Sequence, residues 1–292
     1  MATPRLGNGD TTRSPAASQL TDIPDVRVGQ VRKAFLDVRR SARLWHIWMR
    51  LGVQDVRHKF RRSTVGPAWI FLNLGFLIGA IGIIYGRLLG QDLHQFIPFL
   101  TAGLIIWTYL TTTVSEGAHA FVNSEGYIKQ IALPIYVYIF RAFVNVGLTT
   151  IISFSVFVIV AIAYRVPIGL GTLWAIPGAA ILMIVSLLTI CILAHLHARF
   201  RDIAPMASVA MQMALYVTPV MFPGELLRRR GLMWAVDFNP FFHLVEVVRR
   251  PLVAAQPAAF LSYVASAVVI AVLLAGAIGI IAYYRRRIVF VL

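Results

Sequence analysis

This sequence is poor in reactive groups: it has one cysteine, three lysines and 12 acidic residues in 292. The single cysteine, Cys191, excludes an intramolecular disulfide, and its place inside an apolar run reads as inert packing. The lysines, Lys33, Lys59 and Lys129, stand in no glycine-rich loop. The phosphate-cradling P-loop is therefore missing, and the chain is not expected to hydrolyse nucleotide alone. No Cys/His cluster and no paired carboxylates occur. His195 and His197 are two apart, which on a helix sends them to different faces and argues against a metal site. The expectation is a non-catalytic chain with no metal or other cofactor of its own. The first 40 residues also lack the apolar core of a signal peptide.

Charge is scarce too, at 13% of residues, about half of what a soluble domain carries. What fills the chain is apolar: 59% is hydrophobic and the mean hydropathy is +0.76. Six stretches, about 67–86, 96–115, 142–164, 173–194, 203–223 and 258–284, contain no Asp, Glu, Lys or Arg. About 20 apolar residues match the hydrocarbon thickness at helical rise. Helix is the form in which such a stretch satisfies its own backbone in lipid. The expected fold is an all-α polytopic membrane protein with six transmembrane helices. Uncharged span centres argue against a proton antiporter or an ion channel. The net charge of +15 fits anionic lipid headgroups, and the spans leave no surface for a nucleic-acid reader.

Basic residues orient the spans. An even number puts both termini on one side, together with 20 of the 27 Lys and Arg, so both termini are read as cytoplasmic. The segment 224–257 strains this topology, because Arg228, Arg229, Arg230, Arg249 and Arg250 fall on the outer side. A re-entrant segment of short helices before the last span relieves the strain.

Residues 1–40 read as a cytoplasmic tail, disordered over the first 25, and 41–66 as an amphipathic interface helix with a lead-in turn. On that helix Trp45, Met49, Val56 and Phe60 share one face, and Arg50, Arg57 and Arg61 another. Ser63 to Pro67 then turn the chain into the bilayer, and residues 67–292 form the transmembrane domain. Between spans two and three, 116–141 is long and polar enough for a short cytoplasmic helix. Glu116, at a span edge, reads as snorkelling or capping. Trp69, Phe71, Phe76, Tyr85, Gln212, Tyr216, Thr218 and Phe222 supply aromatic faces and hydrogen-bonding groups to spans one and five. They are lipid-facing anchors or the walls of a sugar pathway.

Four local patterns resemble one family, the ABC-2-type polysaccharide export permeases. Arg61, Arg62, Ser63, Thr64, Val65, Gly66, Pro67, Ala68 and Trp69 are similar to the family's R-x-S-x-L-G-P-x-W segment, with Val65 where Leu is usual. Asn123 to Pro134 (NSEGYIKQIALP) resembles its N-x-x-L-I-x-K-v-x-F-P segment, and Arg199 to Ile203 (RFRDI) its R-F-R-D-[IV] loop. TPVMFP at 218–223 followed by NPFFHLVEVVR at 239–249 resembles its S-P-V-x-[YF] and N-P-x-x-x-x-[IV]-E-x-x-R pair. The C-terminal YYRRRIVFVL lacks the acidic residues common in the family.

The resemblance implies a half-transporter in a bacterial inner membrane. Two copies form the channel, two copies of a separate ATPase bind below and supply ATP and Mg²⁺ chemistry, and the cargo is a polyprenyl-pyrophosphate-linked polysaccharide of O-antigen, teichoic acid or galactan type. Asn123, Glu125, Tyr127 and Lys129 then belong to a helix that couples to the ATPase. Arg199 and Arg201 meet the ATPase or the cargo's pyrophosphate, and Asp202 caps the next span or shares that role. Arg50, Arg57, Arg61, Arg62, Val65 and Gly66 receive the lipid headgroup. Trp69, Phe71, Phe76, Tyr85, Gln212, Tyr216, Thr218 and Phe222 line the glycan channel, and Asn239, Pro240, Glu246 and Arg249 build the re-entrant segment. Alternatives are an ABC-2 exporter of a drug or small lipid, or a non-transporting membrane scaffold.

Overall fold

A computed structural model of the chain describes residues 36–284, apart from 62, 89 and 132. Arg62, the arginines at 285–287 and most of the N-terminal tail lie outside the described residues. The described residues form helices and no strand.

A helical run over 36–43 leads into α1 (Trp45–Phe60). Five helices are long and apolar enough to cross a membrane. They are α2 (Ala68–Leu88), α3 (Leu93–His119), α5 (Tyr136–Ala163), α6 (Ala175–Arg199, entered through a 3₁₀ turn at Leu170–Trp174) and α11 (Phe260–Tyr284). Between them lie α4 (Glu125–Gln130), α7 (Ile203–Val217), α8 (Gly224–Arg229), α9 (Trp234–Asp237) and α10 (Pro240–Ala254).

Helix α3 is the hub: α2, α5, α6, α7 and α10 all pack on it. It is buried nearly all round from Phe96 to Leu110, as expected of a helix apolar on every side. Several of its hydroxyls are spent inside the protein. Thr101 Oγ1 donates to Ile97 O at 2.7 Å, the Tyr109 hydroxyl reaches Leu182 O at 3.2 Å, and Thr113 and Ser186 share a bond of 3.1 Å. The last two tie α3 to α6, in a setting where such interhelical bonds average about 0.6 kcal/mol.

The expected stretch 203–223 is helical only over Ile203–Val217, 15 residues, short of the roughly 20 that cross a bilayer. Its apolar run continues, but its helix does not. Thr218 is extended, at φ −87° and ψ 129°, because the residue before a proline is disfavoured in the helical region. Pro219 and Pro223 then deny further amide donors.

The other long helices outrun their apolar cores. Helix α3 includes Glu116, α5 includes Arg141, and α6 includes His195, His197 and Arg199. His195 and His197 are both buried on α6 and diverge as their spacing requires. The His195 ring meets Phe121 at 5.1 Å and the His197 ring meets His119 at 4.9 Å.

Small residues set the closest approaches. A Cβ added at Gly178 of α6 would lie 2.3 Å from Val247 O on α10. Backbone cannot yield as a flexible side chain can. The Gly178→Ala protein is therefore expected to lose about 1–3 kcal/mol, read as a lower midpoint of thermal unfolding in detergent.

Candidate functional site

Helices α1 and α4 and the turn between α6 and α7 gather at one end of the bundle. Helix α3 ends at His119, a 3₁₀ turn covers Val122–Ser124, and α4 follows at once. Ser124 is buried and donates to Ala120 O at 2.8 Å, which anchors the turn. Asn123, Gly126, Tyr127, Lys129 and Gln130 are exposed. The Lys129 ammonium donates to Glu125 Oε1 at 2.6 Å, one turn away. That hydrogen bond, and then the Lys129 charge, hold the Glu125 carboxyl below its ordinary range, with a smaller pull from Arg201. Arg199, Arg201 and Asp202 are exposed at the same end, the Arg199 guanidinium 5.9 Å from the Phe200 ring. Asp202 holds the N-cap position of α7, but its side chain caps nothing: its backbone is already helical, at φ −77° and ψ −12°, where an extended cap is normally needed.

Helix α1 lies along α5. Gly52 lets the two approach closely, since a Cβ there would sit 2.6 Å from Val144 Cγ1. The Trp48 ring stacks on Phe140 with centroids 5.4 Å apart. Arg141 of α5 holds Asp55 through two bonds of 2.6 Å, Nε to Oδ2 and Nη2 to Oδ1. Lys59 donates to Glu116 Oε1 at 3.4 Å, and Asn145 Nδ2 to Glu116 Oε2 at 3.2 Å. Glu116 therefore bridges α1, α3 and α5. Glu116, expected to snorkel or cap, instead joins three helices, and the roles of Asp55, Arg141 and Asn145 are not visible in the sequence. The available signal was Asp55, the one acid among the bases of α1.

Arg50, Arg57 and Arg61 are exposed on the outer side of α1, and Trp45 is exposed as well. The turn into α2 is built locally. Gly66 has φ +59°, a conformation L side chains rarely adopt, and its amide donates to Ser63 Oγ at 3.1 Å. Val65 is exposed beside it.

The aromatic set divides. Trp69, Phe76 and Tyr216 are 63%, 82% and 71% exposed, and Gln212 is exposed near Tyr216. Phe71, Tyr85 and Phe222 are half-buried, the first two against the main core. Thr218 is buried, with its hydroxyl accepting from Asn239 Nδ2 at 3.0 Å, so it presents no surface on this chain.

Near the opposite end of α3, Asn239, Pro240, Glu246 and Arg249 each have a structural task. Asn239 caps α10: its Oδ1 accepts from the Phe241 and Phe242 amides at 3.0 and 3.2 Å. Pro240 takes the first helical position, where a missing amide hydrogen costs nothing. Arg249 is 2% exposed. It donates to Glu246 Oε2 through Nη2 and Nε at 2.7 and 3.1 Å, and to Pro219 O and Val220 O at 3.2 and 3.4 Å. Its guanidinium also lies 4.0 Å from the Phe99 ring centroid. The motif fastens the chain that leaves α7 to α10 and α3.

Residues 48–253 match the model of the ABC-2 type transporter family. This chain belongs to that family. Known relatives agree. Two O-antigen export system permease proteins RfbA of Klebsiella pneumoniae are 20% and 21% identical over 193 residues, which span 66% of this chain and 74% of each relative. A protein of the same name from Myxococcus xanthus is 23% identical over 199 residues, with the same coverage. As an ABC-2 family member the chain is a multi-pass membrane transport subunit, and membership implies pairing with an ABC ATPase subunit. The family match starts at Trp48 and ends at Val253, so it takes in nearly all of α1, α4 and the Arg249 lock.

Proposed function

We propose that this protein is the transmembrane half of an ATP-driven exporter that carries a lipid-linked polysaccharide out across the bacterial inner membrane. It works as a homodimer with two ATPase subunits. The observation that carries the reading is α4. It is a short polar helix displayed between two long apolar ones, in a family that pairs with an ATPase, beside exposed Arg199 and Arg201. Both termini and the α1 end are cytoplasmic in this reading. ATP-driven closure of the ATPase dimer pushes on α4 and thereby on α3 and α5.

The cargo class is supported by the names of the relatives, which are O-antigen export permeases. It is also supported by the exposed Trp69, Phe76, Gln212 and Tyr216. These lie on the outside of one chain, on helices that both pack on α3. A pathway walled by them needs a second copy to close it, and aromatic faces let a neutral polymer slide without tight binding. The pyrophosphate headgroup is received by Arg50, Arg57, Arg61 and Arg62 with the Val65–Gly66 turn, since guanidinium pairs with phosphate through two bonds at once.

Conditional depletion of the protein tests the reading. The expected outcome is full-length lipid-linked glycan accumulating on the cytoplasmic face of the inner membrane, measured by extraction and face-selective labelling. Normal placement of every envelope glycan after depletion would transfer the case to export of a drug or small lipid.

A further inference from the structure

We infer that Arg141 is the joint that transmits motion of the ATPase-facing helix α4 to the membrane-surface helix α1, an assignment that rests on the transport reading above. Three elements meet on one guanidinium. Two bonds of 2.6 Å hold Asp55 of α1. Nη1 donates to Ser124 Oγ, at the root of α4, at 3.4 Å. The Tyr127 ring of α4 lies 5.1 Å from Cζ. A planar fork can serve these directions at once, whereas a lysine ammonium is a point charge that cannot.

The base of the joint is firm. Tyr136, Val137, Tyr138 and Ile139, on the turn before Arg141, are all buried. Two further contacts of α1 with α5, Gly52 on Val144 and Trp48 on Phe140, are packing contacts without a charge or a directional bond. The bidentate pair adds a directional tie that fixes the two helices at this point.

The surroundings leave room for a second arrangement of the joint. Asp55, Lys59, Glu116, Asn123, Arg141 and Asn145 border a polar cavity of about 300 Å³. On its wall the Tyr138 hydroxyl and Asn145 Oδ1 are buried and have no hydrogen-bond partner among the described residues. Buried polar atoms without partners are rare. Open volume and spare partners beside an ion pair let a guanidinium exchange partners without facing lipid. Coupling between sites requires such an element with two discrete arrangements. When the ATPase displaces α4, Ser124 and Tyr127 move against Arg141. The Asp55 pair then carries the displacement to α1, the helix assigned to the lipid headgroup.

The test uses the full permease–ATPase complex in lipid nanodiscs. The permease's one native thiol, Cys191, is buried, so in permease labelled before the ATPase is added, His46→Cys on the exposed side of α1 takes a bimane label selectively. Trapping the ATPase with ATP and vanadate should shift the bimane emission in the parent complex. Arg141→Gln and Asp55→Asn should each abolish that shift and lower glycolipid moved per ATP hydrolysed by about tenfold, while the ATPase co-purifies at the parental level. The exchanged pair, Asp55→Arg with Arg141→Asp, should restore part of both. No shift in the parent, or a full shift in Arg141→Gln, would overturn the joint and leave the transport reading intact. Loss of the ATPase from both single variants would also overturn it, since Arg141 would then be a docking or folding determinant. Failure of the ATPase to co-purify with the parent would instead sink the transport reading itself.

Discussion

Glu246→Ala is expected to cost about 3–5 kcal/mol, the penalty for stranding one partner of a buried ion pair. Arg249 is almost wholly enclosed, and Glu246 supplies the only carboxylate it touches among the described residues. With the carboxylate gone, the guanidinium keeps two carbonyl contacts and the Phe99 face. None of these carries a full negative charge. Domains are commonly stable by about 5–15 kcal/mol, so a loss of this size should appear as aggregated or degraded protein. Arg249→Met should be milder. It fills the space with an apolar chain, and the orphaned Glu246, 17% exposed on the rim of a polar cavity, can be reached by water. The check is the midpoint of thermal unfolding, followed by size-exclusion of the solubilised protein, in the order parent, Arg249→Met, Glu246→Ala. A Glu246→Ala protein as stable as the parent would mean that the pair does not hold residues 219–220 to α10.

The long helices are legible because a bilayer penalises charge so heavily that its absence traces their cores. Their ends are not legible, since charges there are tolerated once paired. Glu116 belongs to α3 because Lys59 and Asn145 answer it, and Arg141 belongs to α5 because Asp55 does. These partners lie tens of residues away, out of reach of any local window. The short α7 is the reverse case. Pro219 and Pro223 are visible stops, but the apolar run through Met221 and Phe222 conceals them. On α1 the contrast of Trp45 and Met49 with Arg50 and Arg57 is plain in the sequence. The side that seats on α5, Trp48, Gly52 and Asp55, mixes an aromatic, a glycine and an acid and matches no hydropathy pattern. The N-P-x-x-x-x-x-E-x-x-R letters are easy to find, but their meaning is not. Charge counting puts Arg249 outside the membrane core, whereas Glu246 and two backbone carbonyls draw it inside the protein. Trp69 and Tyr216 are exposed on this chain, and only the proposed homodimer gives their faces a partner, of which one chain's sequence holds no direct record.

Exchanging the charges of α4, Glu125→Lys together with Lys129→Glu, is expected to stop export while leaving the permease folded. Both side chains are on the surface, with relative exposures of 38% and 55%, and exposed pairs add little to stability because water and salt screen them. The exchange preserves an opposite-charge pair one turn apart, and although both charges then oppose the dipole of α4, the cost of about 0.3–1 kcal/mol each is too small to unfold the permease. What it reverses is the pattern shown to a partner, with positive charge moved toward the Arg199–Arg201 turn that already pulls on Glu125. Like charges brought together in an interface cost several kcal/mol, so ATPase association should fall by about a hundredfold. The measurements are co-purification of the ATPase, its affinity by titration, and the unfolding midpoint of the permease alone. An unchanged midpoint with a lost ATPase places the docking surface on α4. Unchanged association would put the docking surface elsewhere on the α1 end. The Arg199–Arg201 turn would be the next place to look, because it is exposed on the same side and, unlike Lys59 and Arg141, its charges are not tied into the bundle by an ion pair among the described residues.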